Sequence, residues 1–499
     1  MTRWVAACAA TYTVAISLVT ACRVLAAEGD RAESVRWEDH ITLLLSERIR
    51  GEFVDWFRPP DGKAPAGAQR YNFLGSRLRV GARFTVPHVR LTLEMQDTRL
   101  VDLPDDASPP ASKAGNLGPG ALYFFQTRDR NQGEPFLKLG NLVLSDIPRA
   151  LGMTATLGRF EYKDGLETIP KDPTLAWLKR ARIGQRLVGP FGYTHVSRSF
   201  DGGQLAYDNA DLNVTAWGSR PTQGGFEVSA NPELDVWLAG LAVTLKRLAH
   251  LPPLDARVFY LYYEDDRDAA VKADNRPLDV RKADRKDVAI HTWGAHALST
   301  IDVGPGRLDG LLWGVVQTGD WGRLDHEAWA YAVEAGYQLP NVPGAPWLRT
   351  GFDRSSGDSN PRDGTHETFF QIIPTARVYA RLPFFNLMNN EDLFAQLILK
   401  PHPHVTVRGD YHYLRLTESA DLWYAGGGAT SDRVFGFAGL PAGGHRALAH
   451  LVDVSIAVSL LKHLKAYAYF GRAFGQSVVR STFAGDTANY GYLELTYQY

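Results

Sequence analysis

Arginine is the residue type whose placement carries the most chemistry in this 499-residue sequence. Arg77, Arg79 and Arg83 follow a two-residue rhythm, and Arg90 comes just past a turn at Pro87-His88. Side chains two apart in a strand share a face, so this spacing collects guanidinium groups on one surface. Arg48 and Arg50 repeat the theme, as do Arg180, Arg182 and Arg186 within residues 178–187, and then Arg377, Arg381 and Arg408. An arginine stays charged and presents a planar fork that fits a carboxylate. Rings of such cations around a water-filled passage select anions. The competing arrangement pairs them with Glu94, Glu334, Glu494, Asp353 and Asp410 and merely stiffens an interior. With 54 basic against 55 acidic residues, composition favours neither.

Other groups suggest chemistry less strongly. His195 and Ser197 would share one face of a strand, and such a pair suggests nucleophilic catalysis by an outer-membrane hydrolase; ordinary polar strand residues account for them better. His402, His404 and His412 could approach a metal, but two of them flank prolines at a turn. Asp353, Asp358 and Asp363 lack the spacing of a calcium loop, and no glycine-rich phosphate loop opens a helix. Gly426-Gly427-Gly428 reads as a loop. The two cysteines, Cys8 and Cys22, both lie in an N-terminal leader, so nothing after it is a thiolate ligand, a disulfide or a cysteine nucleophile. The expectation is no enzyme, no cofactor and no metal. A net charge of −1 sets up no field for nucleic acid.

The elements that would position the arginines alternate between polar and apolar. Leu493, Leu495, Tyr497 and Tyr499 share one face, with Tyr492, Glu494, Thr496 and Gln498 on the other. Leu78, Val80, Ala82 and Phe84 oppose Arg77, Arg79 and Arg83; Val405 to Tyr413 oppose Thr406, Arg408, Asp410 and His412. Aromatic residues sit at strand ends on the apolar face, and short turns (340–346, 401–403) alternate with long polar loops (58–70, 265–287, 354–368). That asymmetry belongs to a transmembrane β-barrel. Lipid offers no hydrogen bonds to an open edge, so the sheet must close. At ~50 residues per strand pair, the fold is an all-β, antiparallel, up-and-down barrel of about 18 strands.

Residues 1–27 read as a signal peptide, with Arg3, an apolar stretch and small residues up to Ala27. Val19-Thr20-Ala21-Cys22 offers a rival lipoprotein site. Residues 28–499 form one barrel, placed in the outer membrane of a Gram-negative cell. Its expected partners are outer-membrane lipid, the barrel-assembly machinery through the terminal Tyr499, and an anionic solute. Rival readings are a plugged structural or adhesive barrel, a barrel hydrolase, and a long-chain hydrophobic transporter; the inward arginines oppose the last.

Several runs resemble the alginate-export family of porins. They include Gly351-Phe352-Asp353-Arg354-Ser355-Ser356-Gly357-Asp358, Asp363-Gly364-Thr365-His366-Glu367-Thr368-Phe369-Phe370, and Pro374-Thr375-Ala376-Arg377-Val378-Tyr379-Ala380. Phe384-Phe385-Asn386-Leu387-Met388-Asn389, Asp421-Leu422-Trp423-Tyr424, Tyr490 to Leu495 and Leu157-Gly158-Arg159-Phe160-Glu161-Tyr162 fit as well. The resemblance implies a monomeric barrel of 18 strands with an arginine-lined pore passing an anionic saccharide such as a polyuronate, or small carboxylates. By alternation and motif position together, the expected pore-lining residues are Arg77, Arg79, Arg83, Arg90, Arg159, Arg377 and Arg408.

Overall fold

A computed structural model describes residues 40–108, 115–146, 151–247, 252–375 and 381–499. The proposed leader and its cleavage site, Cys22 and Arg377 lie outside these residues.

The alternating segments form strands. The first nine are β1 (Ile41–Asp55), β2 (Arg70–Val86), β3 (Val89–Val101), β4 (Gln132–Ser145), β5 (Met153–Phe160), β6 (Phe200–Asp208), β7 (Leu212–Pro221), β8 (Val236–Leu245) and β9 (Leu254–Asp265). Then come β10 (Val288–Val303), β11 (Gly306–Trp321), β12 (Leu324–Gln338), β13 (Trp347–Ser355), the two-residue β14 (Thr365–His366), β15 (Glu391–His402) and β16 (Val405–Arg415). The chain ends with β17 (Leu422–Gly426), β18 (Phe437–Pro441), β19 (Ala447–Leu461), β20 (Leu464–Gly475) and β21 (Thr487–Gln498).

Eighteen of these pair antiparallel, each with its barrel neighbour in sequence, and β1 closes the circle against β21, from Ser46 opposite Gln498 to Asp55 opposite Asn489. The remaining three are accessory: β14 pairs parallel with the start of β12, and β17 with β18 forms a separate hairpin. Closure satisfies every strand edge without solvent, as a lipid-embedded sheet requires.

Alternation sorts the faces as expected. Leu91, Leu93, Met95, Leu312, Val316, Val333, Leu348, Leu393, Leu493 and Leu495 all point outward and are exposed, making a continuous apolar band. Their neighbours Thr92, Gln96, Glu334, Arg349, Asp392 and Glu494 point inward. Short turns at Pro87-His88, Gly304-Pro305, Pro403-His404 and Lys462-His463 join strands at one end. Residues 102–108 and 115–131, 161–199, 356–375 and 381–390, and 416–446 belong to the long connections at the other.

Much of the barrel interior is filled. Residues 161–199 were expected to contain an inward-facing strand at 178–187. They instead form α2 (Pro173–Leu178) and a π-helical turn over Lys179–Ile183. Asp172 caps α2 by accepting from the amides of Thr174 and Leu175 at 2.9 and 3.0 Å, and Pro173 occupies the first helical position, where no amide is needed. An earlier helix, α1 (Pro119–Thr127), packs Tyr123 and Phe124 into the same interior.

Candidate functional site

The site is the lumen where residues 161–199 cross it. Arg182 lies in the π-helical turn and Arg186 in the turn that follows it. Arg182 Nε donates to both carboxylate oxygens of Glu334 on β12 at 2.9 Å, and Arg186 reaches Asp353 on β13 at 3.1 Å. Arg349 joins the same Glu334 at 3.0 Å and also bonds Asp309. Lys179 pairs with Asp255 on β9 at 2.7 Å. All these groups are buried. This flank of the loop is therefore riveted to β9, β12 and β13 by charge-assisted bonds.

The other flank meets β1–β4, where the donors come from the wall and the acceptors are backbone carbonyls. Arg48 donates to Gly192 O at 3.0 Å and Thr194 O at 2.6 Å, Arg77 to Gly192 O at 3.1 Å, and Lys138 to Arg198 O at 2.5 Å. Gln96 adds a bond to Val196 O at 2.7 Å. Gly75 makes the close approach possible: a Cβ there would sit 2.2 Å from the His195 ring. A carbonyl satisfies a guanidinium without neutralising it, so the wall stays positive.

The carboxylates on this wall are fewer than the cations. Glu161 is approached by Lys163 at 3.0 Å, Lys138 at 3.2 Å and Arg79 at 3.3 Å; Arg79 also faces Glu94 at 3.7 Å. Arg50 holds Glu494 at 2.7 Å and stacks between Tyr193 and Tyr492, 4.6 Å from each ring. Among the described residues, Arg77, Arg83 and Arg90 have no carboxylate within ion-pair distance. They descend β2 and β3 toward the short-turn end, where Arg90 is exposed.

The structure brings Arg77, Arg79, Arg83 and Arg90 onto one wall. Arg408 also points inward but is held by Asp410 at 2.5 Å, in a region where Asp410 stands opposite Asp453 and Asp392 binds His412 at 2.8 Å. Arg159 stands on the other face. It shares that face with Leu157, which is 55% exposed, and forks onto Asp201, on the same face as Leu205, 50% exposed, while Gly158 and Phe160 face in. It belongs to the outer rim, above the apolar band.

The weaker constellations separate. His195 Nε2 lies 2.7 Å from Glu52 while the Ser197 hydroxyl accepts from Arg79 at 3.3 Å, so the two do not face each other, and they sit on a loop rather than a strand. Burial pulls the His195 pKa down to about 4, so the ring is neutral at physiological pH. His402 and His404 lie at a turn, whereas His412 is buried on the lumen wall. Asp353 is in the lumen network and Asp358 in a loop. Among the described residues no cluster of three or more His, Asp or Glu could hold a metal ion.

Sequence reasoning missed Lys138, a single lysine in the mixed strand β4, and Arg198, which no periodicity marks.

The alginate export family matches residues 63–474, most of the length. The chain belongs to the alginate export family. No curated protein matches the sequence. Among solved structures, this family member resembles OccAB2 of Acinetobacter baumannii at a TM-score of 0.58 and 10% identity, covering 92% of this chain and 98% of that one. OccK5 (OpdH) of Pseudomonas aeruginosa gives 0.54 at 12% identity, and a BenF-like porin from Pseudomonas fluorescens Pf-5 gives 0.53 at 10%, with the same coverage. At such identity the likeness is one of fold, and the fold is that of porins.

Proposed function

We propose that this family member is a passive outer-membrane channel for polar anionic solutes. Arg77, Arg83 and Arg90 carry that reading, because three guanidinium groups without carboxylate partners line one side of the lumen from the inward loop to the short-turn rim. None has a carboxylate of its own to hold it among the described residues, and along β2 Arg77 and Arg83 stand about 20 Å apart with Arg79 between them. Water in the lumen keeps a solute's contact with them weak, as release demands. Arg79 and Lys138, shared with Glu161, set the charge at the narrowest crossing without immobilising a solute there.

The inward loop explains how a wide barrel becomes selective. A barrel of eighteen strands is wide enough for an aqueous lumen, and residues 161–199 cross it, bonded on one flank to the cationic wall and on the other to β9, β12 and β13. Outer-membrane placement, with the long loops outside and the terminal Tyr499 on the periplasmic side, goes with this reading.

Liposome swelling tests it. Vesicles carrying the refolded protein should swell faster in sodium gluconate or glucuronate than in a neutral sugar of equal size. Equal rates for charged and neutral solutes would discard anion preference, and no swelling in either would discard the channel.

A further inference from the structure

Away from the lumen, a group of charges stands on the outer wall where the barrel meets the long loops. Arg354 near the end of β13, Glu391 at the start of β15 and Arg415 at the end of β16 form a row across the sheet, Arg354 opposite Glu391 and Glu391 opposite Arg415. Alternation turns all three away from the lumen. Arg354 shares its face with Leu348, Glu391 with Leu393 and Arg415 with Tyr411, all exposed on the apolar band. Arg446, immediately before β19, reaches the same carboxylate. Glu391 therefore meets Arg446 at 3.0 Å, Arg354 at 3.2 Å and Arg415 at 3.8 Å.

One carboxylate cannot neutralise three guanidinium groups. Among the described residues, none of the three has a second carboxylate within ion-pair distance, so the cluster keeps an excess of positive charge. The cations also lie outermost, at 35–40% exposure, against 10% for Glu391. By contrast, Arg70, Arg99 and Arg159 on the same rim each meet a carboxylate of their own, Asp55, Asp97 and Asp201.

The neighbouring rings set the depth of the cluster. Arg354 holds its guanidinium over Trp329 at 5.5 Å, and Trp329 stacks on Tyr331. Two residues further along the same faces, toward the apolar band, come Phe352, Leu393 and Tyr413, and Tyr413 stacks on His450. Trp and Tyr gather at the level of lipid headgroups, so the arginines stand at that level with apolar strand surface beneath them. A guanidinium fork matches two oxygens of a phosphate. The row from Arg354 to Arg415 spans two strand spacings, about 10 Å, which is room for one headgroup. A small anion from bulk water has no use for the apolar strip below; a lipid uses both.

We propose that Arg354, Arg415 and Arg446 form a site on the outer wall for a lipid with a phosphate headgroup, the phosphate held by the three guanidinium groups and the acyl chains laid over Phe352, Leu393 and Tyr413. The site belongs to the lipid face and rests on the placement of the long loops at the outer leaflet, not on conduction through the lumen.

Native mass spectrometry of the refolded full-length protein, titrated with lipid in detergent, tests this. Dioleoylphosphatidic acid should bind about tenfold more tightly than dioleoylphosphatidylcholine, whose choline offsets the phosphate charge. The double variant Arg415→Gln, Arg446→Gln should erase that preference. Arg446→Gln alone, outside the strands, serves where the double variant fails to fold and should lower phosphatidic acid binding severalfold. Arg70→Gln should leave both lipids unchanged, and inorganic phosphate at the lipid's concentration should not displace it. Equal binding of the two lipids, displacement by inorganic phosphate, a preference that Arg446→Gln leaves intact, or one that Arg70→Gln lowers as much, would overturn the proposal. Anion-selective swelling with equal binding of the two lipids would overturn the lipid site and leave the channel standing; a lipid preference without swelling would do the reverse.

Discussion

At the scale of the residue, the lumen divides its arginines into two kinds of work. Arg182, Arg186 and Arg349 converge on Glu334 and hold the inward loop, whereas Arg77, Arg83 and Arg90 have no carboxylate partner among the described residues. The pairing with carboxylates considered from sequence therefore occurs around Glu334, and the β2–β3 arginines lie outside it. Removing one partner of a buried ionic network leaves uncompensated charge, which costs about 3–5 kcal/mol. Glu334→Gln should lower unfolding stability by that amount in urea titration of the detergent-folded protein; a change below about 1 kcal/mol would mean the network is solvated. Alternation alone placed Arg77, Arg79, Arg83 and Arg90 inward. It misled at Arg159 because polarity was equated with the lumen. Past the apolar band a charged residue faces outward at no cost, and the exposed Leu157 on the same face fixes the phase. Arg198 was illegible, since its surroundings are a property of packing.

At the scale of the element, the strands were readable and the long loops were not. Two-residue periodicity is a local property of the chain, but the inward course of residues 161–199 depends on acceptors on β9, β12 and β13, more than 50 residues away. The Asp172-Pro173 cap was a visible helix start, yet the alternation of Arg180 and Arg182 suggested a strand. Seating the loop requires Gly75. Gly75→Ala drives a methyl group into His195, so it should displace the loop and raise single-channel conductance severalfold with the barrel intact; unchanged conductance would show that the loop does not set the aperture. The loops over the mouth carry their own titration. Burial pushes the Asp421 carboxyl up to about 7, against hydrogen bonds from Thr368 at 2.6 Å and Tyr424 at 2.7 Å. An unfolded Asp titrates near pH 4, so between about 4 and 7 the folded loop binds the extra proton and its stability falls as pH rises through that window. Protection of the amides in residues 416–446, taken relative to the intrinsic exchange rate at each pH, should be greater at pH 5.5 than at pH 8, and Asp421→Asn should level it.

At the scale of the whole molecule, the barrel and its closure follow from one constraint: in lipid, every backbone group must find its partner within the sheet. That constraint acts on composition and spacing throughout the chain, which is why the architecture could be read before the lumen. The apolar band should behave as a lipid contact. Leu312, exposed at the middle of β11, should cost about 2–4 kcal/mol when replaced by Arg in a bilayer, and little in detergent where the head group can reach water. The central claim, an anion-preferring passage along the β2–β3 wall, is tested most directly by the reversal potential of single channels in a planar bilayer under a tenfold potassium chloride gradient. The account predicts a potential displaced toward the chloride equilibrium value, and a displacement toward zero in the double variant Arg77→Gln, Arg83→Gln. A potential toward the potassium value, or one that the double variant leaves unmoved, would contradict it.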